Sequence, residues 1–240
     1  MSQKYPGGFI TKSPVAPTSS AASGMWTLDQ AMQLKKQGNW PPLVIGSAFG
    51  GGFFAGQIST AGNGIADYNL VIGPLSTSQT TNQWKNANTA TVGADSVING
   101  PQNTADMVAD GNSTVYPCAH FCNNLSTGGQ TDWYMPAKNE LEVCYFNLKP
   151  STTSNTTGWG INTNAVPSRG SNYTGGNPAQ TSATIFQTGN SEAFTAVALY
   201  WSSTEQAATY AYAQYLGNGG FYNPLKTISY RVRAIRRVAV

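Results

Sequence analysis

Apolar positions are unevenly spaced along this chain, and their spacing divides it into three regions. Residues 1–24 carry Pro6, Gly7, Gly8, Pro14 and Pro17, which forbid helix, and they close in the polar run SSAASG. This segment reads as an extended arm. It is either a disordered tail or a strip that orders on a neighbouring subunit through Tyr5, Phe9, Ile10 and Val15. Residues 25–42 read as a short helix and a proline linker. Thr27 is its N-cap, Gln30 completes a capping box, and Leu28, Ala31, Met32 and Lys35 share one stripe. Gly38, Asn39 and Pro41-Pro42 end it, with Trp26 and Trp40 as packing anchors on either side.

The third region, 43–240, turns to strand patterning. LVIGSAFGGGFFAGQIS reads as a bulged strand in which Gly50, Gly51 and Gly52 let other backbone pass close by. ADYNLVIGPL (66–75) is a second strand, ended by Gly73-Pro74. Residues 77–103 are polar and read as surface loop with a short helix around Trp84. Two helices follow. One begins near Pro117 and runs to about Leu125, with Cys118, Cys122 and Leu125 on its buried stripe. The other begins at Pro136 and buries Leu141, Cys144, Tyr145 and Leu148. Residues 150–192 form a long Ser/Thr/Asn/Gly-rich loop insertion. Three strands close the chain: Ala193–Trp201, Thr209–Leu216 and Tyr230–Val238.

Composition changes the picture in one respect. Charged residues make up 10% of the chain, against roughly 25% in ordinary soluble domains. Aromatics reach 11%, with 12 Tyr and 6 Trp, too many for a disordered chain. The expectation is a folded domain with a surface of neutral hydrogen-bonding groups and tyrosines. A net charge of +3 does not by itself imply nucleic-acid binding. Three cysteines, an odd number, argue against a disulfide framework. The start MSQKYPGGFITK lacks a secretory signal's apolar core of about 7–15 residues, and no stretch reaches about 18 apolar residues. An external-looking composition without an export signal fits a particle assembled in a host cytoplasm and released by lysis.

Candidate chemistry is sparse. In CAHFC (118–122) the two cysteines share a helical face while His120 points nearly opposite, so the motif reads as buried thiols rather than a metal site. His120 is the single histidine and no nucleophile motif accompanies it. Asp132 reads as a turn residue, and Glu140 as a first-turn acid favoured by the helix dipole. Arg231, Arg233, Arg236 and Arg237 either brace carbonyls and carboxylates or capture an anion. In residues 205–226, Glu205, Gln206, Tyr210, Tyr212, Gln214, Asn218, Phe221 and Tyr222 form a candidate ligand-binding set, because Tyr, Asn and Gly offer contact area at low ordering entropy. Simple packing of the same tyrosines is the competing reading.

Three blocks, DWYMPAKNEL, YWSSTE and the terminal YRVRAIRRV, resemble the lectin-like C-terminal domain of bacterial collagen-like adhesins and of many phage virion proteins. That family is a branch of the C-type lectin fold related to formylglycine-generating enzymes and to the variable proteins of diversity-generating retroelements. The resemblance spans roughly 43–240. It implies an α+β, C-type-lectin-like domain, with two helices against a small twisted antiparallel sheet and long loops on one side. By the same resemblance, ligand contacts fall between Glu205 and Tyr222. The oxidase cysteines and the sugar-coordinating EPN or QPD triplets are absent, so neither of those activities carries over. The arm resembles the N-termini of structural proteins in tailed phages.

The expected protein is therefore a non-enzymatic phage virion protein, displayed on a tail fibre or capsid-borne fibre and mediating host-surface attachment. The alternative is a capsid decoration, cement or tail structural protein without a receptor. Expected partners are other virion proteins through the arm and a host-surface glycan or protein. Neither nucleic acid nor membrane insertion is expected, and no cofactor or metal. A homo-oligomer, by analogy a trimer, completes the expectation.

Overall fold

A single antiparallel ribbon runs through both sheets of this molecule and sets their relation. The computed structural model describes Met32 and residues 43–240, so the expected arm and the rest of the first helix and linker lie outside the described residues. One leg of the ribbon is β3 (Tyr68–Ile72), a turn at Gly73-Pro74, the one-turn helix α1 (Leu75–Ser78) and β4 (Gln79–Gln83). The other leg is β9 (Ser229–Arg233) and β10 (Ile235–Ala239), which pair with β4 and β3 respectively. The legs change sheet together at Ala234. Gly73 N–H donates to its carbonyl at 3.0 Å, and its own N–H donates to Ser78 O at 2.9 Å. Gly73 is glycine because a Cβ there would meet Ser78 Oγ at 2.4 Å.

The first sheet has the order β1-β2-β3-β10, with β1 at Ala48–Phe49, β2 at Gly52–Ile58 and the short β5 (Ala165–Val166) paired to β2. The second has the order β4-β9-β6-β7-β8, where β6 is Leu199–Ala207, β7 is Tyr210–Tyr215 and β8 is Phe221–Tyr222. Within it β6 and β9 pair in parallel at Tyr200 and Arg231. Helices α2 (Gly100–Asp110), α3 (Pro117–Asn123) and α4 (Lys138–Leu148) fill the spaces around the sheets. One apolar core joins α4 to β2, β3 and the loop beyond it, through Leu141, Cys144, Tyr145, Phe186 and Tyr200. The other joins α2 and α3 to the second sheet, through Trp84, Met107, Cys118, Cys122 and Trp201.

This architecture corrects the expected C-type-lectin-like fold of two helices against a small antiparallel sheet. Strand (28%) outweighs helix (19%), and there are two sheets, one curled into a half-barrel. Residues 77–103 are not simply a surface loop with a helix at Trp84. QTTNQ is strand β4, held by β9, and Trp84 follows it as a buried wedge whose Nε1 donates to Ser202 O at 2.8 Å. Helix α2 begins in the same stretch, its Asn99 cap accepting from Gln102 N. The strand expected at Ala193–Trp201 lies later, at Leu199–Ala207, so YWSSTE is strand throughout. The terminal strand is two strands in two sheets. The glycine run is a hairpin turn, Gly50 at φ +55° and Gly51 at φ +84°. Close passage holds at Gly52, where a Cβ would sit 2.2 Å from Ile72 O.

Residues 150–192 contain little regular structure and are clamped by buried polar side chains of α4 and its end. Glu142 accepts from Tyr173 Oη at 2.5 Å and from Asn162 Nδ2 at 2.5 Å, and it pairs with Arg169. Asn155, itself buried, accepts from Tyr145 Oη and donates to Pro178 O at 2.8 Å. Lys149 Nζ donates to Thr153 O and Pro178 O. Buried polar groups need partners, and here those partners are side chains and carbonyls of the loop, so satisfying them shapes it.

Candidate functional site

The three sequence blocks act as internal braces. Glu140, fully buried, accepts from Tyr134 Oη at 2.6 Å, Ala137 N at 2.8 Å, Arg237 Nε at 2.8 Å and Gly100 N at 3.2 Å. Burial pushes its carboxyl up, and Arg237 with these donors opposes that rise. Arg233 is buried as well. Its guanidinium donates to Gly73 O, to Glu192 O and to the Glu192 carboxylate at 2.5 Å, and burial brings it down to about 10. Arg236 makes two parallel bonds to Asp132, at 2.6 and 2.8 Å, the planar fork that guanidinium and carboxylate share. In YWSSTE, Tyr200 Oη donates to Gln79, Ser202 Oγ to Tyr212 O, and Thr204 Oγ1 to Ser96 O. The bracing reading of the arginines therefore describes Arg233, Arg236 and Arg237.

The eight candidate ligand contacts separate by depth. Glu205 is an internal anchor: Lys226 Nζ, itself buried, donates to it at 2.7 Å and Thr91 N at 2.9 Å. Gln214 is buried, its Nε2 donating to Gly219 O and its Oε1 left without a partner. Phe221 is buried within an aromatic group. Gln206, Tyr210 and Tyr222 are exposed, and Tyr212 and Asn218 half-buried. The set thus holds outward groups and inward ones; Tyr210, Tyr212 and Gln214 share one face of β7, and depth increases along it from Tyr210 to Gln214.

Two residues outside the candidate set form a rim with Tyr212 and Phe221. Lys138, at the start of α4, places Nζ 4.9 Å from the Tyr212 ring centre, 5.2 Å from Phe221 and 5.6 Å from Trp159. The rings meet edge to face, Trp159 with Phe221 at 5.6 Å and Tyr212 with Phe221 at 6.3 Å. Burial lowers the Lys138 ammonium, with Glu142 opposing, and the ring faces supply attraction that replaces part of the lost hydration. Trp159 arrives on the 150–192 loop. Its carbonyl accepts from Tyr173 N at 2.6 Å, and the next residue, Gly160, sits at φ +126°, where a Cβ would collide with Tyr173 at 2.5 Å. Thr156 N donates to Asn218 O, joining that loop to the β7–β8 turn. The available sequence signal was a lone tryptophan between glycines in a polar stretch, and Lys138 lay inside a block already singled out.

The thiols and the histidine do not converge. Cys118 and Cys122 lie in the α2–α3 core and Cys144 in the other, and burial raises all three thiols. His120 Nε2 lies 2.6 Å from Gly111 O. Among the described residues no three His, Cys, Asp or Glu side chains gather as a metal site would require, and no helix is long and apolar enough to cross a membrane.

Fold and site together define a β-rich domain braced by buried ion pairs and bearing an aromatic rim around Lys138. Residues 75–236 match the family described as the Lcl C-terminal domain, and the chain belongs to that family. The match takes in TDWYMPAKNEL and YWSSTE whole and the terminal block as far as Arg236, so the resemblance those blocks carry holds at family level. No curated protein matches the chain. Among solved structures, a fimbrial protein from Bacteroides ovatus ATCC 8483 is similar at 15% identity with a TM-score of 0.41. The similarity covers 73% of this chain and 36% of that one, so this chain corresponds to little more than a third of that protein's length.

Proposed function

We propose that this chain is a phage virion structural protein, carried on a tail fibre or capsid-borne fibre, that attaches the particle to the host surface without catalysing a reaction. The observation that carries this reading is the rim of Tyr212, Phe221 and Trp159 around Lys138, extended along the same face of β7 by the exposed Tyr210. Aromatic groups with one apolar face and one polar tip suit contact with a neutral surface ligand, glycan or protein. Glu140, Glu142, Glu192 and Glu205, with Arg233, Arg236 and Arg237, are engaged in the braces described above. Assembly with other virion proteins is assigned to the arm, with Tyr5, Phe9, Ile10 and Val15 as its anchors, and the assembled state to a homotrimer.

The test is adsorption by particles carrying Trp159→Ala with Tyr210→Ala. Adsorption is expected to fall about tenfold or more, since loss of aromatic contacts at a binding centre commonly costs over 1 kcal/mol each. Full adsorption by folded, incorporated double-variant protein would sink the attachment reading and leave a decoration or cement role. Antibody labelling of the particle in micrographs checks the location.

A further inference from the structure

At the end of the second sheet where β6 and β9 begin lies a pocket that the rim does not use. Four arginines crowd residues 231–237, and Arg233, Arg236 and Arg237 each hold a carboxylate. Arg231 makes no ion pair and no side-chain hydrogen bond among the described residues. It is half-buried and lines a pocket of ≈ 310 Å³. Thr81, Tyr215, Ser229 and Tyr230, each bearing a hydroxyl, line the same space together with the apolar Val197 and Leu199. No acidic residue lines it. The pocket and the rim share no residue.

We infer that the Arg231 pocket binds a compact monocarboxylate carried on an aliphatic or aromatic stem. A guanidinium that is partly desolvated and lacks a counter-charge attracts an anion more strongly than one in open water. Its planar fork matches the two oxygens of a carboxylate. One cation balances one negative charge, which selects a monoanion over a phosphate dianion. The hydroxyls can donate to the same oxygens, while Val197 and Leu199 take the stem. The volume sits at the small end of ligand pockets, about 300–1,000 Å³.

Titration calorimetry of the full chain with isobutyrate and benzoate tests this. Isobutyramide and benzamide serve as uncharged counterparts, and inorganic sulfate and phosphate as other anions. Saturable carboxylate binding is expected, about tenfold tighter than for the amides, because a charge-assisted pair is lost in the latter. Arg231→Gln is expected to weaken it by about tenfold, and Arg231→Lys, which keeps the charge without the fork, by a smaller factor. Val197→Asp places a competing carboxylate at the mouth on a side chain that is 80% exposed, so the fold tolerates it, and binding is expected to weaken. Amides binding as well as acids, no saturable binding, or unchanged binding in Val197→Asp would overturn the site. Sulfate or phosphate binding as tightly as benzoate would overturn the ligand class. The Trp159→Ala, Tyr210→Ala double variant is expected to bind benzoate normally, so attachment and carboxylate binding succeed or fail separately.

Discussion

The arginines of β9 and β10 and the tyrosines of β7 and β8 are neighbours in the fold and are used in opposite ways. Arg233, Arg236 and Arg237 turn to carboxylates, and each also reaches a backbone carbonyl. Tyr210, Tyr212 and Tyr222 leave their hydroxyls without a partner among the described residues, with two of the rings exposed. In a chain with few charges, the charges hold the structure together and the neutral aromatic groups face outward. Charge is costly to bury unpaired, so once an arginine enters the core its acid and carbonyl partners become obligatory. A tyrosine can keep its hydroxyl in water at little cost, so it is free to meet another molecule.

The sharpest way to break this contrast is at Arg233. Arg233→Met leaves the Glu192 carboxylate and two carbonyls without their donor, and unfolding in urea is expected to show a loss of about 3–5 kcal/mol. A loss under 1 kcal/mol would mean that the brace is not structural. Glu142→Gln follows, with about 2–3 kcal/mol expected from releasing Arg169 and weakening the bonds from Tyr173 and Asn162. Hydrogen exchange should show that loss concentrated in residues 150–192 rather than in the sheets. Gly160→Ala comes next, at about 1–3 kcal/mol, because a side chain is strained at its positive φ and meets Tyr173. Trp159 fluorescence should shift with it.

Arg236 marks the boundary between the two regions, since its partner Asp132 has a side chain 55% exposed. Arg236→Met is expected to cost only about 0.5–1 kcal/mol. The hydrogen bond from Arg236 holds Asp132 below its ordinary 3.8. Stability from such a depressed carboxylate is complete above its unfolded value and is lost as pH falls through its folded one. The gap between wild type and Asp132→Asn should therefore narrow in denaturation series below about pH 4, and a gap that is flat with pH would remove the ion pair from the account. Smallest of all, Tyr222→Ala should change stability by no more than about 0.5 kcal/mol.

Part of this was legible in the chain itself. The spacing of Cys118, Cys122 and Leu125 placed α3 with its thiols inward, and Leu141, Cys144, Tyr145 and Leu148 did the same for α4. Gly73-Pro74 marked the end of β3, and 209–216 read as β7 nearly to the residue. Strand β4 was not legible: QTTNQ has no apolar position, and its backbone is held by Ser229–Arg233, some 150 residues away. The single strand read across Tyr230–Val238 is two: alternation through Tyr230, Val232 and Ala234 breaks at Ala234-Ile235 and Arg236-Arg237, and only the partners of each half make that break a change of sheet.

Alternation, caps and prolines reside in neighbouring residues, so the chain alone determined which faces of α3 and α4 turn inward and where β3 and β7 lie. Only the tertiary structure decided that there are two sheets rather than one. It also decided that Glu205 is an anchor while Tyr222 is free, and that Lys138 and Trp159 meet over Phe221. Those outcomes rest on hydrogen bonds and ring contacts between distant segments, and a buried charge declares its partner only when folding has brought one within reach.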